Sequence, residues 1–229
     1  HFTNPCSLII FASNFNAKDD TLMSKLPELF DQNKQWAEEI KKRQPDFFEE
    51  SAKGQSPNYL WIGCADSRVP PTQLTGLGPG DLFVHRNIAN VISHSDINSQ
   101  SVLQYAVSVL KVNHVVICGH YGCGGVQAAY EDQNLGLIDN WLADIKDVYR
   151  KHKNEIEKSP SEEDKLKRFC ELNVLAQVQN TCHSPFVQQA WAEGQELSVH
   201  GLIYDLKTGL LNDLDISATS AEEAADLQS

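Results

Sequence analysis

Two short apolar runs constrain the fold of this chain more than any other feature: Tyr59-Leu60-Trp61-Ile62-Gly63 and the stretch 112–118, which ends Val115-Val116-Ile117-Cys118. Each is short for a helix, and the second is rich in β-branched residues, so both read as buried strands. The first breaks into Cys64-Ala65-Asp66-Ser67-Arg68-Val69-Pro70-Pro71, where the proline pair stops the chain from continuing extended. The second breaks into Gly119-His120-Tyr121-Gly122-Cys123-Gly124-Gly125 and restarts as a helix near Val126. Helical periodicity marks 26–43 (Leu29, Phe30, Trp36 and Ile40 on one face, ended by Pro45), 99–110, 137–157, 163–182 and 185–194. Further strands are predicted at 81–85, after the turn Gly78-Pro79-Gly80, and at 197–205 and 210–216, a pair turning at Lys207-Thr208-Gly209. Strands alternating with helices predict an α/β fold: a mostly parallel central sheet flanked by helices, with an antiparallel C-terminal edge strand and an N-terminal helical arm. The 229 residues read as one domain, with an arm over 1–56, an α/β core over 57–217 and a helical or frayed tail over 218–229.

Composition removes several classes of function. A net charge of −12 argues against nucleic acid or an anionic membrane as partner. No apolar run reaches the roughly 18–20 residues that cross a bilayer, and the apolar stretch 6–12 reads as part of the arm rather than as a targeting segment. The expected compartment is the cytoplasm, or the mitochondrial matrix if a transit peptide preceded His1. Six cysteines in a chain of this length do not form the dense pattern of a disulfide-stapled secreted domain, and read as reduced thiols, some of them on a metal.

Ligands in open α/β sheets bind at the carboxyl ends of strands. Two predicted strand ends carry metal-capable side chains: Cys64, followed by Asp66 and Arg68, and His120 with Cys123. Two thiolates and one imidazole suit zinc, and three protein ligands leave a fourth position open, as in catalytic sites. None of Cys6, His85, His94, Cys118, Cys170 and Cys182 lies at a companion spacing, and His114 reads as a strand-edge residue. Cys118 is best read as a small buried hydrophobe. At Cys64 that reading fails, because a charged pair at the end of a core strand is costly without a function. The glycine cluster fits neither G-x-G-x-x-G nor G-K-[ST], which argues against nucleotide binding. No C-x-x-C occurs, and the H-x-E…P-C-x-x-C deaminase signature is absent.

Cys64-x-Asp66-x-Arg68 followed by His120-x-x-Cys123-Gly124-Gly125 resembles the pattern of the β-class carbonic anhydrases, a likeness spanning about 35–211 and including Phe83 and Arg86-Asn87-Ile88-Ala89-Asn90. The resemblance implies a lyase with one Zn2+ per subunit that hydrates carbon dioxide reversibly to bicarbonate and a proton. It implies a homodimer or homotetramer in which the helical arm embraces the partner. It gives Asp66 the task of orienting a zinc-activated hydroxide and Arg68 that of holding Asp66. Gln55, Phe83, Ile88, Tyr105, Gly124 and Gly125 become candidates for the substrate pocket, with Gln55 and Tyr105 facing the neighbour's zinc. Some bacterial members carry a second bicarbonate site of Trp, Arg and Tyr, matched here by Trp61, Arg86 and Tyr204. In those enzymes the aspartate leaves its arginine for the metal, which makes Asp66 a candidate ligand as well. Two alternatives stay open: a zinc-binding structural or regulatory module without turnover, and a carbon disulfide-type hydrolase on the same scaffold.

Overall fold

The computed structural model describes residues 26–227, so the stretch 6–12 lies outside the described residues. The chain divides into two units, one ending at Gly54 and one beginning at Gln55. In the first, α1 (Pro27–Arg43) starts with proline at a position where no amide is needed. Past Pro45, the short α2 (Phe47–Ser51) lets Phe48 meet Trp36 edge to face at 5.7 Å.

The second unit is built on a five-stranded sheet of order β2-β1-β3-β4-β5. Its strands are β1 (Tyr59–Cys64), β2 (Leu82–Asn87), β3 (His114–His120), β4 (Ser198–Asp205) and β5 (Leu210–Ala218). Four run parallel, and β5 returns antiparallel along β4 with an irregularity between Gly201 and Leu202. Helix α3 (Pro71–Thr75) joins β1 to β2, using Pro71 as its first residue. Between β2 and β3 runs α4 (Ile97–Gln104), which widens into a π-helical turn over Tyr105–Val109. The sequence predicts one continuous helix over 99–110, but Leu110 N–H bonds back to Tyr105 O, five residues away. The crossover from β3 to β4 holds α5 (Gly124–Tyr130), α6 (Ile138–Ile156), α7 (Glu162–Cys182) and α8 (Pro185–Ala192), and α9 (Ala221–Asp226) follows β5. His114 is the first residue of the central strand, and its Nδ1 sits 3.1 Å from His200 Nε2.

Leu60, Ile62, Val115, Ile117 and Val199 pack against Leu103, Val174, Val178 and Val187 of α4, α7 and α8. Each such fully buried aliphatic side chain contributes about 1.5–3 kcal/mol, and together they fix the sheet against its helices. A second apolar cluster joins α5, α6 and α7 through Val126, Leu142, Ile145 and Phe169, and it includes Cys64 and Cys123. On the opposite face Trp61, Val116 and Cys118 are buried by strand neighbours, among them Tyr59, Leu202, Tyr204 and Leu211. The Trp61 indole lies across Gly63, where a Cβ would fall 2.5 Å from Nε1.

The strand order reverses between β1 and β3: the chain leaves β1 for one side of the sheet and continues from β3 to the other. That reversal opens a crevice at the carboxyl ends of the two strands. Cys64 and His120 are their last residues.

Candidate metal centre

Cys64, His120 and Cys123 converge in that crevice, with their ligand-capable atoms all within 4.8 Å of one another and all three residues buried. Among the described residues this is the only group of three or more Cys, His, Asp or Glu side chains arranged to hold a metal. Cys123 joins because Gly122 takes a left-handed turn (φ 69°) that ends the stretch after β3 and starts α5. The two sulfurs lie 3.9 Å apart.

The imidazole of His120 tests whether this group fits a metal. Its Nδ1 lies 3.1 Å from the Tyr121 carbonyl, which can only accept, so Nδ1 is the donor of that bond. Nε2, the ring's other ligand-capable nitrogen, is fully buried and without a hydrogen-bond partner. Facing it at 3.8 Å is Oδ2 of Asp66. A buried, unpartnered imidazole nitrogen and two sulfurs turned toward one space beside a carboxylate oxygen are the donor arrangement a cation would satisfy. The donor set fits a metal ion.

The thiols respond to their closeness. Contact with Cys123 Sγ, helped by His120 and by backbone N–H groups, pulls the Cys64 thiol down to about 4 despite its burial. The same contact, with desolvation, pushes Cys123 well up. The two thiols therefore titrate as a coupled pair, the first proton leaving more easily than the second.

Asp66 sits two residues past the strand end, held by its own loop. Its Oδ1 accepts from Arg68 N and Arg68 Nε, both at 2.9 Å, and its Oδ2 accepts from Arg68 Nη2 at 2.6 Å. This bidentate pair, ahead of the other influences, holds the carboxyl well below the usual carboxylate range. Asp66 is thus anionic and committed to Arg68. Arg86 anchors the loop from below, donating from Nε to Cys64 O at 2.8 Å and from Nη2 to Asp66 O at 2.5 Å.

Other candidates scatter. Ile88 and Gly125 adjoin the centre: a Cβ on Gly125 would lie 2.8 Å from Ile88 Cγ2 and 3.2 Å from Ala89 Cβ, and Gly124 beside it faces open space. Phe83 and Tyr105 pair with each other, ring centroids 5.7 Å apart, and Gln55 is exposed. Trp61 and Tyr204 share the sheet face away from α7, and Arg86 pairs in register with Gly63, the residue the Trp61 indole covers.

Sequence reading missed how the segment after β2 is held. Ala89 and Asn90 both have positive φ, 61° and 49°, within a 3-10 turn over Ile88–Asn90. For alanine that conformation costs of order 1–2 kcal/mol, whereas asparagine tolerates it. The turn aims Ala89 N–H at Cys64 Sγ, 3.4 Å away. Polar residues recurring on the apolar face of 163–182 were the available signal: Asn173, Gln177 and Asn180 of α7 all bond to this segment or to one another.

Comparison with known proteins agrees with the geometry. Residues 59–211 match the family model described as Carbonic anhydrase. A carbonic anhydrase of Emericella nidulans is 47% identical over 82% of this chain and 83% of its own length. Among solved structures, a Coccomyxa β-carbonic anhydrase in complex with acetazolamide is 41% identical, covers 89% of this chain and 92% of its own, and gives a TM-score of 0.85. One of two tetrameric β-carbonic anhydrases from Sordaria macrospora is 40% identical, covering 84% and 98%, with a TM-score of 0.81. With one family model spanning β1 to β5 and the same backbone recurring in β-class structures, this chain belongs to the β-carbonic anhydrase family.

Proposed function

We propose that this chain catalyses the reversible hydration of carbon dioxide to bicarbonate and a proton, with Cys64, His120 and Cys123 holding one zinc ion. The observation that carries the reading is the orphaned Nε2 of His120, set between two thiols and facing an ionised Asp66. Zinc in such a site supplies an acidified water as the nucleophile. The donor set favours zinc because borderline-soft thiolates and imidazole, leaving a fourth position open, suit that ion.

Asp66 acts as an orienter and not as a base. A carboxylate held this far toward its anion takes up a proton poorly, but it accepts a hydrogen bond well. Its Oδ2, on the His120 side, is placed to accept the O–H of the nucleophile and turn a lone pair toward the substrate. Arg68 fixes the plane of the carboxylate through two nitrogens. Ile88 supplies an apolar wall for an apolar substrate, and Gly124 leaves the space beside Cys123 open. Phe83, Gln55 and Tyr105 we assign to the pocket of the assembled protein, with Gln55 and Tyr105 facing a neighbour's metal. A homodimer or homotetramer fits the exposed apolar residues Val84, Ile88 and Tyr105. We place the enzyme in the cytoplasm or the mitochondrial matrix, where free thiols such as Cys64 and Cys123 persist.

Stopped-flow hydration of carbon dioxide across pH, with zinc content measured, tests the reading. Turnover that rises toward alkaline pH supports it, because two thiolates offset the metal's charge and acidify its water less. A protein that holds zinc but shows no turnover at any pH would instead be a structural or regulatory module.

A second reading rests on Trp61. Its Nε1 is buried without a partner, and Arg86 pairs with the residue under the indole. We propose that Trp61, Arg86 and Tyr204 receive bicarbonate. An anion that drew the Arg86 guanidinium off the Cys64 and Asp66 carbonyls would loosen the loop carrying Asp66, freeing it from Arg68 for the metal's fourth position. A crystal grown in bicarbonate at low pH with the Asp66–Arg68 pair intact would rule this out.

A further inference from the structure

The segment between β2 and α4 has an unusual set of partners. Its backbone bonds go to side chains rather than to a strand or a helix. Ile88 O accepts from Trp141 Nε1 at 2.8 Å, and Val91 exchanges two bonds with the Asn87 amide, at 2.8 and 2.7 Å. Ala89 O accepts from Asn173 Nδ2 at 3.0 Å. Ile92 N–H donates to Gln177 Oε1 at 2.8 Å, and Ile92 O accepts from Asn180 Nδ2 at 2.8 Å. Gln177 Nε2 donates to Asn173 Oδ1 at 3.1 Å, which fixes the Asn173 amide with its NH2 toward Ala89. Asn173 and Gln177 are each 1% exposed. Buried amides on a helix otherwise packed with Val174 and Val178 are costly unless every atom has a partner.

What this ladder holds is the left-handed turn at Ala89 and Asn90. Alanine relaxes out of that conformation when nothing fixes the flanking peptides. The turn sets the direction of Ala89 N–H, which points at Cys64 Sγ. An N–H donor on a ligand sulfur draws electron density from it, and such outer contacts tune the metal.

We propose that Asn173, backed by Gln177, is a positioning residue for the metal centre: by clamping Ala89 O it keeps the turn left-handed and Ala89 N–H on Cys64 Sγ. The proposal rests on the assignment of Cys64 as a ligand and not on which reaction the centre catalyses.

Cobalt(II) reports on it directly, because the sulfur-to-cobalt charge-transfer band follows the electron density on the thiolates. Asn173→Leu should weaken Co2+ binding about ten- to hundred-fold, measured against a chromophoric chelator, and should move the band to longer wavelength. Ala89→Gly in that background should restore both, since glycine takes the left-handed conformation without a clamp. A merely structural role for Asn173 would not respond to glycine at position 89. Should Asn173→Leu fail to fold, Asn173→Ala removes the same donor to Ala89 O with a smaller side chain, and the same losses and the same rescue are expected. Unchanged affinity and band in a folded variant, or no recovery with Ala89→Gly, overturns the proposal. Wild-type protein that binds Co2+ through its thiolates without hydrating carbon dioxide would sink the enzymatic reading and leave this one standing.

Discussion

Cys64 and Cys123 lie 3.9 Å apart, close enough for one sulfur to donate to the other. With Cys64 pulled down to about 4 and Cys123 pushed up, metal uptake near pH 6.5 should release one proton rather than two. Calorimetric titration in buffers of different ionisation enthalpy counts it, and two protons would contradict this arrangement. Asp66 separates from the ligands by its consequence. Asp66→Asn should retain the metal and lose roughly 10²–10³ in kcat, the scale set by removing one oriented polar contact. Cys64→Ala should lose the metal itself, read by elemental analysis alongside rate. The residue types of the centre were legible in the sequence, because Cys, Asp and Arg after one apolar run and His and Cys after another have few other uses. Arg86's hold on the loop was not, since its partners are backbone carbonyls whose direction no sequence pattern encodes.

At the scale of elements, the start of α5 shows two adjacent glycines with opposite demands. Gly125 is required: a Cβ there would meet Ile88 Cγ2 at 2.8 Å and Ala89 Cβ at 3.2 Å. Gly125→Ala should cost about 1–3 kcal/mol through overpacking, seen as a lower denaturation midpoint, and it should weaken metal binding by displacing Ala89. Gly124→Ala meets open space at an ordinary helical φ, so its stability should be unchanged or slightly higher. The junction of α6 and α7 supplies a pH test. Tyr149 OH donates to Glu157 at 2.8 Å, and burial foremost, then Glu157, pushes its pKa up to about 12. A folded-state value above the unfolded value of about 10 means that the stabilisation is complete below that pH and is lost as pH rises through 12. Tyr149→Phe should therefore lose less stability than the parent over that window in thermal melts. The helices themselves were readable from their apolar period. The π-helical turn at Tyr105–Val109 was not, because an inserted residue changes hydrogen bonding and leaves the local composition unaltered.

For the whole molecule, the edge strand β2 and the sheet face away from α7 mark where another copy is expected. Val84 stands 40% exposed on β2, an edge strand of the sheet among the described residues, and Trp61, Val116 and Cys118 pack against strand residues that include Tyr59, Leu202 and Tyr204. Light scattering after size exclusion should give a dimer or a multiple of it, and Val84→Lys should shift the population toward smaller species. A monomer at micromolar concentration would count against an assembled pocket that draws on Gln55 and Tyr105. The sequence by itself determined which residues could hold a metal, and it determined that they end buried strands, because apolar runs and their abrupt polar terminators are local properties of a chain. Tertiary structure decided that β1 and β3 are neighbours across the reversal of strand order, that His120 turns an unpartnered Nε2 toward Asp66, and that an amide ladder on α7 holds the backbone beside Cys64. Those depend on contacts between residues more than fifty positions apart, and the free energy that selects them belongs to the packed core and not to any segment of it.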